Sequence, residues 1–304
     1  MNYEVTWKVL NAKDFGVPQN RKRIYIVGTR EQSISLNTFP EHKTVLKDIL
    51  QLNKQTLNTS FAQKILERYS VNELHGKAIK DKRGGNNNIH SWDLELKGKV
   101  SPKQRELLNK LLKERRKKIW AKKKGIAWMD GMPLTLEEIM TFFNSNDLFD
   151  EYDIKKLLDD LVGKGYLRLE HPKDLVETEN ANGKKVKKRE YRVDLPKGYN
   201  IVVGKLSFEI SKILDHKDIT PTLVATDMNK LAVVDGNGLR RLTTREGLRL
   251  FGFPESYKID LPENKAFDLL GNTVIVPIIQ EIAYRIIVQK LISVPNQNYN
   301  FCPV

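Results

Sequence analysis

The sequence predicts an α/β chain in which a partial sheet and a C-terminal helix lie at the two ends and a mixed α+β segment is inserted between them. Three observations predict it. Strand patterns rich in β-branched residues open the chain and return in its last third. A long apolar helix near the end needs a surface to cover it. The stretch between carries capped helices, short strands and dense runs of Lys and Arg. With 304 residues, 40% of them hydrophobic, the chain is long enough for two ordinary domains with real cores, and it shows no internal repeat.

Taken in order, Val5-Thr6-Trp7-Lys8-Val9-Leu10 reads as a strand and Lys22 to Gly28, with Ile24, Ile26 and Val27, as a second. An isolated strand pair is marginal in water, so the rest of its sheet is expected to be missing or to come from another chain. From about Glu31 to Asn88 the pattern is mixed and polar, ending in the loop composition Arg83-Gly84-Gly85-Asn86-Asn87-Asn88. Ser101-Pro102-Lys103-Gln104 then combines an N-cap, a proline at the first helical position and a capping-box glutamine, ahead of Leu107, Leu108, Leu111 and Leu112 at helical spacing. The second half of this helix is basic, with Arg115, Arg116, Lys117, Lys118, Lys122, Lys123 and Lys124. So many like charges repel unless an anion is near, which favours a phosphate contact over a merely solvated face.

Between residues 133 and 193 the capping box Thr135-Leu136-Glu137-Glu138 opens one helix, and Ile154, Leu157, Leu158 and Leu161 mark a second that stops at Gly163 and Gly165. Two strands follow, Tyr166 to Glu170 and Arg189 to Val193, joined through Asn182-Gly183 and the basic residues Lys184, Lys185, Lys187 and Lys188. Helices followed by a hairpin with a basic tip fit a winged helix-turn-helix; a small helical insertion without DNA contact is the other reading of the same order. In the last third, Leu223-Val224-Ala225 and Leu231 to Val234 read as short strands and Asp235-Gly236-Asn237-Gly238 as a turn. Thr243-Thr244-Arg245-Glu246 caps a helix ending at Gly252, and a final helix from about Val274 to Leu291 presents Ile275, Ile278, Ile279, Ile282 and Ile286.

Composition narrows the function. Lys and Arg outnumber Asp and Glu by 52 to 38, giving a net charge of +14 and a pI near 9.6. Such an excess points to a polyanionic partner, because neutralising phosphates releases counterions. The single cysteine, Cys302, excludes an internal disulfide and a cysteine-built zinc site, and the five histidines show no pair at metal-ligand spacing, so no metal is expected. No stretch approaches the roughly 20 apolar residues that span a bilayer, and Met1 to Asn11 lack the order of a secretory signal. A cytoplasmic, nucleoid-associated location is the expectation.

Three separated blocks then resemble motifs of bacterial DNA cytosine-5 methyltransferases, in that family's order. They are Asn11 to Gly28, which contains Gln19-Asn20-Arg21-Lys22-Arg23; Arg240 to Tyr257, which contains Arg245-Glu246-Gly247; and Leu270-Gly271-Asn272-Thr273-Val274-Ile275-Val276-Pro277. The resemblance implies a Rossmann-like methyltransferase domain of which residues 1–30 and 258–304 are parts. Residues 31–257 would be a target-recognition domain, with a possible winged helix at 133–193. It implies that Gln19, Arg21 and Arg23 support a flipped-out cytosine, their side chains alternating onto one side of an extended segment. It implies that Gly271, Asn272 and Thr273 bind the methionine carboxylate of S-adenosylmethionine at the mouth of the last helix, where free N–H groups and the dipole favour an anion. Thr222, in Pro221-Thr222-Leu223, would touch the phosphate beside the flipped base. Further contacts to double-stranded DNA are expected from Arg115, Arg116, Lys117, Lys122, Lys123, Lys124, Lys155, Lys156, Lys184, Lys185, Lys187, Lys188, Arg240 and Arg245.

The departures from the family pattern matter equally. Its chemistry needs a cysteine in a Pro-Cys pair and a glutamate in Glu-Asn-Val, whereas Cys302 is followed by Pro303 and Glu179-Asn180 by Ala181. No strand-borne Phe-x-Gly-x-Gly loop is present. The expectation is therefore the specificity part of a DNA cytosine-5 methyltransferase, inactive alone and needing an N-terminal subunit that carries those motifs. The alternatives are a non-catalytic sequence-specific DNA-binding protein and an inactive fragment.

Overall fold

A computed structural model describes residues 3–30, 33–82, 84–143, 151–180, 183–203 and 208–293. It divides into two compact units, one of Met1–Gly76 with Ile210–Val304 and the other of Lys77–Glu209. These divisions differ from the expected boundaries after residues 30 and 257, and the reason is a shared core. Leu36, Leu46, Leu214, Leu231, Val233 and Leu242 all pack in the same apolar cluster as Leu10, Phe251 and Ile278. Burial of the flanking segments assigns them to the first unit.

In the first unit β1 (Glu4–Asn11) and β2 (Lys22–Thr29) form the antiparallel hairpin expected from their alternation, in a register that sets Trp7 opposite Ile26 and Leu10 opposite Arg23. One face turns Tyr25 and Val27 toward the core, while the other leaves Val5, Trp7, Val9, Ile24 and Ile26 exposed, Trp7 by 64%. A second small sheet places Leu231–Asp235 between Gly238–Arg241, antiparallel across a turn with Gly236 at φ +58°, and Lys212–Ile213, parallel. Leu223 to Ala225 is not a strand: Leu223 is buried, but Val224 is exposed and its carbonyl accepts from Asp227 and Met228 in a tightening turn.

The capping box at Thr243 forms as expected, its hydroxyl accepting from the Glu246 N–H, and opens Thr244–Arg249. Two helices close the unit, Glu263–Gly271, which sequence reading missed, and Val276–Ser293. Ile275, Ile278 and Ile282 are buried as the apolar face requires, whereas Ile279 is exposed. Among the described residues no single helix is long and apolar enough to cross a membrane. The closing pair passes such a test only together, bent by 44°, and its Phe267, Leu270 and Ile278 lie in the core.

In the second unit Ser101 and Gln104 form the expected reciprocal cap of Pro102–Glu114. Leu107, Leu108, Leu111 and Leu112 are buried against Leu158, Leu161 and Tyr199, each contributing roughly 1.5–3 kcal/mol of transfer free energy as an upper estimate. The helix stops at Glu114 rather than running on, and a separate short helix, Lys118–Lys123, follows. Leu136–Phe143 is capped by Thr135 and Glu138 and is followed by Glu151–Gly163. The strand Leu167–Glu170 pairs with Gly198–Ile201, not with residues 189–193 as expected. The hairpin is instead Lys173–Glu179 with Lys185–Tyr191, exposed along nearly its whole length. Sequence reading marks the first strand and part of Lys185–Tyr191 but misses Lys173–Glu179 and Gly198–Ile201, because local alternation cannot reveal that the chain leaves the first pair, builds a hairpin and returns. Asn182 and Cys302 lie outside the described residues.

Candidate functional site

The three sequence blocks, far apart along the chain, meet around residues 18–23. The segment before β2 is irregular and is held by backbone bonds on both sides of Gln19: Thr220 N–H donates to Pro18 O and Asn20 N–H to Thr220 O, both at 2.8 Å. Gln19 is completely buried; its Nε2 donates to Leu250 O at 2.7 Å and its Oε1 accepts from Leu223 N–H at 3.2 Å. Arg21, 5% exposed, donates from Nη1 to Leu223 O at 2.7 Å, and from Nη2 to Gly271 O at 3.1 Å and Thr273 O at 3.2 Å. The Phe251 ring lies 5.3 Å from its guanidinium carbon. Burial first, then neighbouring Arg23, lowers the Arg21 pKa. Three carbonyl dipoles and an aromatic face are what hold this buried cation.

The expected one-sided fork of Gln19, Arg21 and Arg23 is therefore split. Period-two alternation applies only inside a strand, and β2 starts at Lys22, so Gln19 and Arg21 turn inward while Arg23 is exposed with its Nη1 on Lys22 O at 2.8 Å. Thr222 is exposed beside the same segment, its hydroxyl donating to Asn20 O at 2.6 Å. Arg23, Thr222 and Asn20 are the parts of this assembly that face solvent.

Gly271-Asn272-Thr273 does not open the last helix; it ends the preceding one. Asn272 N–H donates to Leu269 O and Thr273 N–H to Leu270 O, both at 3.1 Å, and Asn272 Nδ2 donates to Asp268 O. In the first turn of Val276–Ser293 the Val276 N–H donates to Phe251 O and Pro277 has none. These residues do not fit an anion-binding helix mouth, so the expected carboxylate contact of S-adenosylmethionine is not supplied in that way. Gly271 has a packing reason instead: a Cβ there would overlap the backbone of Ala225.

The second unit carries 30 Lys and Arg against 21 Asp and Glu, a net +9 of the chain's +14. Several of its expected phosphate contacts are nonetheless internal. Arg115 is 1% exposed, donating to Asn200 Oδ1 at 2.7 Å and Ile201 O at 3.3 Å, and burial lowers its pKa to about 10. That inward turn ends the helix. Lys124 is buried with both Glu138 oxygens at 2.7 Å, and Arg116 pairs with Asp130 at 2.8 Å. Lys117, though exposed, pairs with Glu114. Helix Glu151–Gly163 sets Lys155 and Lys156 among Glu151, Asp153, Asp159 and Asp160, and Lys155 pairs with Asp159 at 2.6 Å. Acidic side chains thus outnumber basic ones along this helix.

Exposed basic residues gather on two neighbouring elements of this unit. Lys118, Lys122 and Lys123 project from their short helix, and the loop after it exposes Trp128. The hairpin is tied to that loop: Arg189 Nη2 donates to Trp128 O and Ala127 N–H to Asp174 Oδ1, each at 2.8 Å. Along the hairpin Lys185 lies opposite Glu179 and Lys187 opposite Glu177, so half of the expected wing charge is matched. Lys188 lies opposite Val176, and Lys184 sits at the turn. Arg189, absent from the expectations, is placed by its neighbourhood to Trp128 and not by anything visible in the run itself.

In the first unit Arg240 is also internal. Its side chain bonds Asp235 at 2.6 Å, both Glu246 oxygens at 2.8 and 2.9 Å, and Gln51 O at 2.6 Å. Burial alone would lower the Arg240 pKa, but the hydrogen bonds to Glu246 and Asp235 outweigh it and raise it. Arg245 ties Pro254 O and Tyr257 O at 3.3 and 2.7 Å, fixing the loop behind its helix. The histidines, read as scattered, include a pair the fold brings together: His75 and His216 have their Nδ1 atoms 3.2 Å apart. Burial, then His216, lowers the His75 pKa. Nothing in their sequence separation announces the pair.

With this geometry in place, comparisons with known proteins are specific. The family described as C-5 cytosine-specific DNA methylase matches residues 1–288. The Type II methyltransferase M.NlaIV of Neisseria lactamica is 53% identical over 289 residues, covering 94% of this chain and 64% of that protein. M.NgoBV of Neisseria gonorrhoeae is 52% identical over the same shares. M.BanI of Aneurinibacillus aneurinilyticus is 36% identical over 308 residues, covering 93% of this chain and 63% of that protein. The chain thus spans about 64% of the length of the first of these relatives.

Proposed function

The chain belongs to the C-5 cytosine-specific DNA methylase family, and from that premise we propose that it is the target-recognising and base-supporting part of a DNA (cytosine-5-)-methyltransferase. The complete enzyme would transfer the methyl group of S-adenosylmethionine to C5 of cytosine in a specific duplex site. The observation that carries this reading is the convergence of the Leu223, Gly271 and Thr273 carbonyls on Arg21, with Gln19 beside it bonded to Leu250 and Leu223, which leaves Arg23 and Thr222 exposed next to a buried, hydrogen-bonded support. A site meant to hold an extruded base needs that preorganisation, and a simple DNA-binding module does not.

Three roles follow for residues of this chain. Arg23 supplies a fixed positive group toward the extruded cytosine or its flanking phosphate, and Thr222 contacts the adjacent backbone. The surface of Lys118, Lys122, Lys123, Trp128, Lys184, Lys188 and Arg189 positions the duplex in the manner of a wing. The backbone N–H groups of Asn272 and Thr273 are bonded within the chain, so a contact from Gly271-Asn272-Thr273 to the methyl donor would come from other atoms of the motif.

The partner is an N-terminal methyltransferase subunit carrying the Pro-Cys and Phe-x-Gly-x-Gly motifs. The hairpin face of Val5, Trp7, Val9, Ile24 and Ile26 is apolar and exposed, as a surface completed by further strands would be. The test is transfer of labelled methyl from S-adenosylmethionine to DNA by this chain alone and by this chain mixed with such a subunit. Transfer only by the mixture supports the proposal. Transfer by the chain alone, lost on Cys302→Ala, contradicts it.

A further inference from the structure

His75, Asp215 and His216 are the group of three potential metal ligands found among the described residues, and each is half-buried. His75 follows the short helix Val71–Leu74, just before the second unit starts at Lys77. Asp215 and His216 follow the strand Lys212–Ile213, just after that unit ends at Glu209. All three belong to the first unit. They stand where the chain leaves that unit and where it returns.

We propose that these three side chains form a binding site for a divalent transition metal of the zinc class, which fastens the outgoing and returning strands of the first unit together. The geometry is near what such an ion needs. Zinc–nitrogen bonds of about 2.0–2.1 Å in a tetrahedron place two ligand nitrogens about 3.3–3.4 Å apart, and the two Nδ1 atoms are 3.2 Å apart. The imidazole planes meet at 72° with centroids 4.5 Å apart, so the rings approach edge to face and not as a flat stack. One ligand atom from each residue, the Asp215 carboxylate included, lies within 4.8 Å of the others.

The surroundings orient these groups as ligand supports do. Asp215 Oδ1 accepts from Lys217 N–H at 2.9 Å, leaving Oδ2 for the ion. Two imidazoles and a carboxylate suit zinc, cobalt, nickel or copper and not the oxygen-preferring calcium and magnesium. The competing arrangement is a plain hydrogen bond in which one Nδ1 donates to the other; a metal would replace that shared proton. The two histidines are 141 positions apart, and clips that close long loops remove most from the freedom of the unfolded chain.

The probe is Co2+ added to the full chain after chelation. One Co2+ per chain with tetrahedral visible absorption, displaced by Zn2+, is expected, with affinity reduced roughly tenfold or more in His75→Gln and in His216→Gln and unchanged in His171→Gln. Absence of a saturable signal, or wild-type affinity in both His75→Gln and His216→Gln, overturns the site. X-ray absorption of the Zn2+-loaded wild-type chain needs no variant: two imidazoles in the zinc shell support the proposal, and one or none overturns it.

Discussion

The Arg21 guanidinium donates to the Gly271 carbonyl at 3.1 Å across 250 positions of sequence, so the first and last family motifs are one physical object. Arg21→Ala should leave the Leu223, Gly271 and Thr273 carbonyls without their donor and destabilise the chain by about 3–5 kcal/mol. Arg21→Lys should recover only a minor part, since an ammonium cannot reach three oxygens in a planar fork. Urea unfolding of the three proteins measures this; a loss under about 1 kcal/mol for Arg21→Ala would mean the clamp is incidental.

Arg23 should behave in the opposite way. Exposed, with its contact to its own strand, it can be replaced by alanine with stability changed by no more than about 0.5 kcal/mol. In the reconstituted enzyme the same change should remove roughly 1.5–3 kcal/mol of transition-state stabilisation, about ten- to a hundredfold in turnover, with little change in DNA affinity. Turnover equal to wild type would detach this residue from the reacting base.

How much of this was legible beforehand depends on range. The capping boxes at Ser101, Thr135 and Thr243 and the alternation of β1 and β2 are local signals, and each formed where its residues lie. Arg115, Lys124 and Arg240 look in sequence like any member of a basic run, and only the distant Asn200, Glu138 and Gln51 reveal that they are internal. Gln19 and Arg21 were expected on the correct segment but on the wrong side of it, because their burial is decided by Leu250 and Gly271. The helix Glu263–Gly271 escapes sequence reading because Gly271-Asn272 reads as the start of an element, whereas it ends one.

The buried triad of Arg240, Asp235 and Glu246 gives the first unit an acid limit. Burial alone would raise the Asp235 carboxyl, but hydrogen bonds from Arg240 and from the Lys54 and Asn53 N–H groups outweigh it and hold it below the ordinary carboxylate value. A depressed folded pKa gives stability that is fully present above the unfolded value of about 3.9 and is lost as pH falls through the folded one. The stability difference between wild type and Asp235→Asn should therefore be constant near neutrality and shrink below about pH 4. Urea unfolding across pH is the check, and a difference that persists undiminished at about pH 3 contradicts it.

Salt dependence should separate real phosphate contacts from internal lysines. Lys188→Ala removes an exposed charge opposite Val176 and should lower the slope of log affinity against log salt by about 0.9, the value for one phosphate contact. Lys124→Ala, which leaves the half-buried Glu138 without its cation, should lower thermal stability instead. Fluorescence anisotropy with duplex DNA over a potassium chloride series reads the first effect. An unchanged slope for Lys188→Ala would remove the hairpin from the DNA surface.

On the proposed function, the second unit, with its net +9, selects the DNA site while the motif assembly of the first supports the reaction. Phosphate contacts position the duplex and base-edge contacts, worth roughly 1–3 kcal/mol each, discriminate sequences. Replacing residues 77–209 with the corresponding segment of a relative that methylates a different site tests this directly, with the first unit and the N-terminal subunit left unchanged. Bisulfite mapping of DNA methylated by the chimera should show the donor's site. An active chimera that keeps the original site would place specificity outside this unit and contradict the account.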